Sequence, residues 1–496
     1  MKTKYYPIQL LQNDSIELNE LVEQLLFGDW SSAEIDKVKE NLKYFFCTFR
    51  SDLHLIVESN YVDSVYRDSY YNYYSTKRKN YSRYCLKISF FDTDFNYNID
   101  FNDVDNIQKN YLGYLIVRPL LKCIGKNIIK PEAKVNYCKD IKICRVNLET
   151  SCFGVKLKAE GFPHASQDSE TMTCAETTLW SLLEYYGNKY NLYKPINHSE
   201  IRRAIEPFSY ERMLPSKGLN YNQISVALRE FGFGPKIYLK NNYSNKNKFF
   251  ELIACYIESG IPLALALTNS KLGHAVVCIG RKDVNKQDVT NYSFNTEINN
   301  KKLYNWNLAV AHGEIVFNDD NYPNYQLTTL TKPCSYYTSN EWDTMEVTQF
   351  IAPLYNKVYM EADSAIELSK SIVDMIIPGG NNNIIKTFLT SCRSYREYIT
   401  KSKSLSNDEK AALLQIEMPK FVWITELSTI DELNENKINT LLILDATGSK
   451  SSNIYANIIL LVSEGIFYKY DYIDKVLKGY KTSFPKTFDA FKGNLK

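Results

Sequence analysis

Long apolar runs are missing from this chain. The longest, near Leu441–Leu444 and Ile454–Val462, fall far short of the roughly 20 residues that a membrane-spanning helix needs. No membrane partner is therefore expected. The opening Met1-Lys-Thr-Lys-Tyr-Tyr-Pro carries no apolar signal core, so the expected location is cytoplasmic. An excess of one charge is also missing: 59 Lys+Arg stand against 57 Asp+Glu, a net charge of +2. That balance removes any global electrostatic reason to expect nucleic acid or an anionic membrane as a partner. Cys-x-x-Cys pairs are absent from the 11 irregularly spaced cysteines. The closest two are Cys138 and Cys144, and no histidine-rich segment completes a zinc site. An odd, irregular set reads as reduced intracellular thiols, so neither a disulfide scaffold nor a structural metal is expected, and no cofactor. Histidine itself is scarce, with five residues in 496.

Tyrosine, by contrast, is abundant at 39 residues, and this bias weakens arguments from aromatic clusters. Tyr66–Tyr84 mixes Arg and Lys with tyrosines, a pattern that can grip single strands by stacking and phosphate contact. In a tyrosine-rich chain the simpler reading is a solvated face, and nucleic-acid binding is not expected. Arg118, at the end of an apparent strand, is likewise read as a structural ion-pair residue rather than an anion site.

A chain of 496 residues is long enough for several domains. Residues 1–150 read as a mixed α/β region for regulation or substrate docking. Residues 151–335 hold the chemistry, and residues 336–496 form an α/β region of open role. Apolar spacing predicts helices over Ser32–Phe46, Cys174–Tyr186, Tyr221–Phe231, Asn247–Ser259 and Ser364–Met375. Short apolar runs predict strands at Cys85–Phe91, Tyr111–Val117, Pro262–Leu267, Ala275–Arg281, Leu308–Ala311, Glu314–Phe317 and Phe421–Glu426. Asp283–Asn305 reads as an inserted polar loop, and Pro378–Asn383 as a breaker.

One segment is richer in chemistry than the rest. Leu179, Leu182, Leu183 and Tyr186 recur at helical spacing, with Gly187 expected to stop the helix and Cys174 at its start. Backbone N–H groups and the helix dipole favour an anion there, so the position suits a reactive thiolate. His274 enters the apolar run Ala275–Ile279 directly after Gly273, a residue that permits close approach, and is the expected general base. His312 is its competitor. Asp319 ends the next strand and is the expected orienting carboxylate, with Asn318 and Asp320 as alternatives. Gln167, seven positions before the cysteine, is the expected second oxyanion donor beside the Cys174 N–H. Cys47, Cys85, Cys123, Cys255, Cys278 and Cys392 lie in apolar runs and read as small buried hydrophobes.

In order along the chain stand Gln167, Cys174-Ala175, Leu179, Leu182, Tyr185, Gly187, Gly218-Leu-Asn, Gly232-Phe233, Gly260-Ile-Pro262, Gly273-His274 and Val316-Phe-Asn-Asp319. That ordered set resembles the papain-like cysteine peptidase superfamily over roughly residues 160–330, closest to the branch of double-glycine leader peptidases and their stand-alone bacterial relatives. The pattern departs from that branch in four places. The glutamine lies seven rather than six positions upstream, Ala175 follows the cysteine where glycine is frequent, Asp319-Asp320 replaces Asp-Pro, and the Asp283–Asn305 insertion lengthens the His-to-Asp interval. The resemblance implies an α+β chain. Its papain-like domain would join a helical half, opened by the cysteine helix, to an antiparallel sheet, flanked by mixed α/β regions. It also implies thioester-forming acyl transfer but not the substrate; a peptide or protein substrate, and a regulatory protein partner at the flanking regions, are separate expectations. Acyl transfer to an amine, and a catalytically inert binding module, are the two alternatives.

Overall fold

The computed structural model describes residues 3–26, 28–92, 103–135, 140–284, 286–296, 301–376, 383–449, 455–471, 473–482 and 484–496. The architecture is mixed α+β. Internal contacts group the chain into two compact units, not three consecutive segments. One comprises Met1–Phe231, Ala264–Ile279 and Val316–Leu327; the other comprises Gly232–Leu263, Gly280–Ile315 and Thr328–Lys496. No boundary falls at residue 150, because strand Val155–Gly161 packs on strands Tyr111–Val117 and Ile124–Ile129. The backbone of His164 and Ser166 also bonds to Asn127 and Ile124 of the latter strand.

The first unit is built on a five-stranded sheet in the order Thr3–Pro7, His54–Tyr61, Cys85–Phe91, Tyr111–Val117 and Ile124–Ile129, each antiparallel to the next. Helix Ser32–Phe46 covers one face. It starts because Ser31 and Glu34 cap each other reciprocally, and it buries Val38, Leu42, Phe45 and Phe46 against Leu55, Phe90 and Leu115. Each such side chain contributes about 2 kcal/mol on burial. The other face packs Tyr66, Tyr74, Ile116 and Ile128 with Leu148 and Leu157 of the hairpin Val146–Cys152/Val155–Gly161. Coverage on both faces explains why every residue of Cys85–Phe91 is buried, Lys87 included. The Lys87 ammonium meets that cost by donating to Thr150 Oγ1 at 2.7 Å and to the Ser151 carbonyl.

The Tyr66–Tyr84 segment belongs to this same packing. Tyr66, Tyr70, Tyr74 and Tyr81 contact one another ring to ring. Arg67 lies over Tyr71 and Tyr84, and Lys79 lies over Trp30 while pairing with Glu34 at 2.7 Å. The cations and rings that suggested a nucleic-acid grip are thus engaged with each other.

Gly113 marks the tightest point of the sheet. Its φ is +126°, and a Cβ built there would stand 2.1 Å from the Ile128 carbonyl oxygen. Gly113→Ala is expected to cost about 2–4 kcal/mol through strain and overpacking, read from the urea midpoint.

A second set of strands carries the candidate site: Gln326–Thr328, Ile315–Asn318, Gly273–Lys282 and Leu263–Thr268, in that order, with Ile141–Ile143 paired to Gly273–Lys282. In the second unit, eight strands form one sheet in the order Ser293–Thr296, Lys301–Asn305, Asn383–Ser391, Phe421–Thr429, Thr440–Asp445, Ile458–Ser463, Ile466–Asp471 and Val476–Lys481. The Asp283–Asn305 insertion is therefore not a bare loop: two of its segments pair as a hairpin and join this sheet. Polar side chains hid the strands, since an edge hairpin lacks a continuous apolar run. Leu308–Ala311 is also not a strand but lies within helix Trp306–His312. Asn305 caps that helix by accepting from the Leu308 N–H at 3.1 Å, and a four-residue apolar run does not distinguish the two states. Most of the expected breaker, residues 377–382, lies outside the described residues, as does Cys138.

Candidate active site

Cys174 is the first residue of helix Cys174–Lys189, as its spacing implied. Thr173 caps the helix, and the Glu176 carboxylate returns to accept from the Thr173 N–H at 3.1 Å. Glu176 also accepts from the Ser216 hydroxyl. The helix does not stop at Gly187 but runs two residues further. Glycine is needed there for another reason: a Cβ would lie 2.4 Å from the backbone of Lys194 and Pro195. Cys174 is half-buried, and Cys47 is exposed rather than buried in the core as expected, because it follows the last turn of its helix.

His274 is the second residue of its strand and is buried at 6% exposure. Gly273 is not there to allow close approach, since a Cβ would meet nothing within 4 Å. The imidazole Nε2 lies 2.9 Å from Asp319 Oδ1, and the Cys174 thiol is one of the neighbours that act on the same ring. With Nε2 taken by the carboxylate, Nδ1 is the nitrogen left for the thiol. Burial works against a charged imidazole, but the Asp319 charge and hydrogen bond, the thiol and Asp320 outweigh it. They hold the His274 pKa well above its ordinary value. With the folded value above the unfolded one, the stability this group contributes is full below about pH 6.5 and is lost as pH rises through the folded value.

The three candidates for the orienting residue separate clearly. Asp319 is fully buried, and its Oδ1 accepts both from His274 and from the Asn321 N–H at 2.9 Å. Asn318 turns its Oδ1 to the Tyr325 N–H at 3.0 Å. Asp320 lies 3.7 Å from His274 Nε2. Burial, and then the Asp319 charge, push its pKa up to about 7 against the pull of His274 and Lys122. His312 belongs to the second unit, where it bonds Asn247 Oδ1 at 3.1 Å and stacks on Tyr292.

Gln167 is half-buried and donates from Nε2 to Asn321 Oδ1 at 2.8 Å. The amide is thereby tied, through Asn321, to the turn that holds Asp319. The loop before Cys174 is strongly organised. Asp168 Oδ1 accepts from the N–H groups of Glu170, Thr171 and Met172 at 2.7–2.9 Å. Arg118 donates to the carbonyls of Lys122, Ile124 and Ser166 at 2.8–3.0 Å. Burial opposes a charged Asp168, but the Arg118 guanidinium and the loop donors prevail and lower its pKa.

Sequence reasoning missed the support behind the carboxylate. His164 Nε2 donates to the Asp319 carbonyl at 3.0 Å, and its Nδ1 accepts from Asn127 Nδ2 at 3.1 Å. Asn127 in turn accepts from Asn324 Nδ2 at 2.8 Å. Burial lowers the His164 pKa to about 4, which keeps the ring neutral and this donor pattern fixed. The scarcity of histidine was the one available signal.

His198 is buried against Trp180, and neither ring nitrogen has a hydrogen-bond partner among the described residues. Burial lowers its pKa to about 3. A folded value below the unfolded one means full stability above about pH 6.5 and loss as pH falls toward the folded value. Each such histidine costs about 2 kcal/mol on acidification from about pH 7 to about pH 5. His198→Leu is therefore expected to flatten the fall in stability over that interval by about 2 kcal/mol in urea denaturation.

No helix among the described residues is long and apolar enough to cross a membrane. Comparison of the sequence with models of known protein families gives no match, and comparison with curated proteins gives none either.

Proposed function

We propose that the chain is a papain-like cysteine peptidase that hydrolyses a peptide or amide bond through a thioester on Cys174. One observation carries this reading. A thiol at the first residue of a helix is among the groups acting on an imidazole whose Nε2 is held 2.9 Å from a buried carboxylate. In this reading His274 Nδ1 takes the thiol proton, and the thiolate sulfur attacks the carbonyl carbon. Negative charge then develops on the carbonyl oxygen at the helix N-terminus, where the first N–H groups have no intrahelical acceptor. Gln167 supplies a second donor, because an amide NH2 has two hydrogens and only one is committed to Asn321. The imidazolium returns its proton to the leaving amine as the C–N bond breaks. Water then attacks the thioester, gives a proton to His274, and releases the acid and the thiol.

The test is a peptide library generated from a digested proteome, incubated with the protein and read by mass spectrometry. New termini are expected with the wild type and absent with Cys174→Ala. Cleavage that survives in Cys174→Ala overturns the reading. Addition of hydroxylamine traps the acyl group as a hydroxamate and reports the thioester directly.

A further inference from the structure

We propose that His274, Asp319 and Asp320 form a binding site for a divalent transition-metal ion of the Zn2+ class on the face of the imidazole away from the thiol. All three side chains are buried, and one ligand atom from each lies within 4.8 Å of the others. The Nε2-to-carboxylate distances are 2.9 Å for Asp319 and 3.7 Å for Asp320. A tetrahedral ion with bonds of about 2.0–2.2 Å separates its ligands by about 3.3 Å, so the two distances bracket that edge.

Asp320 points to a ligand independently. Its side chain is 3% exposed, yet neither carboxylate oxygen has a hydrogen-bond partner among the described residues. A buried carboxylate without bonds is costly, and a cation offsets that cost. Asp319 keeps its orienting bond from the Asn321 N–H. A cavity of about 90 Å³, walled in part by Asp320, Lys122 and Ser166, lies on the Asp320 side of the cluster and has room for water. An imidazole nitrogen with two carboxylates selects zinc-like ions over Mg2+ or Ca2+, which prefer all-oxygen shells.

Binding displaces the Nε2 proton to solvent. The ring is then neutral, with its single proton on Nδ1, and giving that proton to a leaving amine would require an imidazolate. Zn2+ therefore arrests proton transfer. This inhibitory consequence rests on the peptidase reading; the binding does not.

The experiment is competition with a chromogenic zinc chelator at neutral pH, using zinc alone on wild type, Cys174→Ala and Asp320→Asn. Cys47 is exposed in all three, so the differences carry the result. Cys174→Ala is expected to bind as the wild type does, and Asp320→Asn at least about tenfold more weakly. Equal affinity in Asp320→Asn overturns the site, and a loss confined to Cys174→Ala places the ion on the thiol instead. Asp319→Asn makes the same test if Asp320→Asn fails to fold. In the library assay, Zn2+ is expected to suppress cleavage and EDTA to restore it; cleavage unaffected by saturating Zn2+ overturns the inhibition. A metal-free wild type that cleaves nothing counts against the peptidase reading, and the chelator result then decides the site alone.

Discussion

His274→Ala is expected to slow alkylation of Cys174 by iodoacetamide at mildly acidic pH by at least about 100-fold, the scale of a positioned base. The imidazole is acted on by the thiol, and Asp319 and Asp320 favour its charged form. Without it the thiol loses the group that takes its proton, and only the helix N-terminus still favours the anion. The ring sits at a strand start and its removal leaves a small cavity, so the variant should still fold, which far-UV circular dichroism checks. Rates mapped by mass spectrometry separate this site from the other thiols. An unchanged rate at Cys174 would mean that the imidazole does not activate it.

The second large effect is on stability. Arg118 is 4% exposed, donates to three backbone carbonyls and holds Asp168 in its charged form. Arg118→Met matches its length and removes all of this, leaving a carboxylate without its counter-charge and carbonyls without donors. The expected cost is about 3–5 kcal/mol, since three backbone carbonyls lose their donor together with a favourable charge near Asp168. The effect should extend to chemistry, because Ser166 and Asp168 shape the loop that carries Gln167 and leads into Cys174. Urea denaturation at neutral pH reads the stability, and the Cys174 alkylation rate reads the loop. A loss below about 1 kcal/mol would show that solvent replaces the guanidinium at little cost.

Local signals carried the parts of this picture that depend on a few neighbouring residues. The apolar stripe Leu179–Tyr186 located the cysteine helix, and the run after His274 located its strand. The choice among Asn318, Asp319 and Asp320 was not legible, because it turns on which way each side chain leaves a strand end. Asn318 was diverted to the Tyr325 N–H, a contact seven residues on. Gly187 and Gly273 were read for local reasons that the packing does not support. The first glycine answers a close approach from Lys194 and Pro195, and the second faces open space. His164, Asn127 and Arg118 lay beyond sequence reasoning because their partners are distant in the chain: His164 reaches Asp319 across 155 positions. The same tertiary contacts explain why the boundary expected at residue 150 is absent. The N-terminal sheet is joined to the loop before Cys174 through Asn127, Ile124 and Arg118, rather than standing apart as a regulatory module.

The most direct test of the central claim uses the protein's own reference thiol. Cys47 is exposed and Cys174 only half-buried, so the two can be alkylated in one reaction and followed separately as pH is lowered. The account predicts that Cys174 reacts faster than Cys47 and keeps its rate below neutral pH, where an ordinary thiol is protonated and slows. Cys174 reacting no faster than Cys47, with the same decline on acidification, would contradict it.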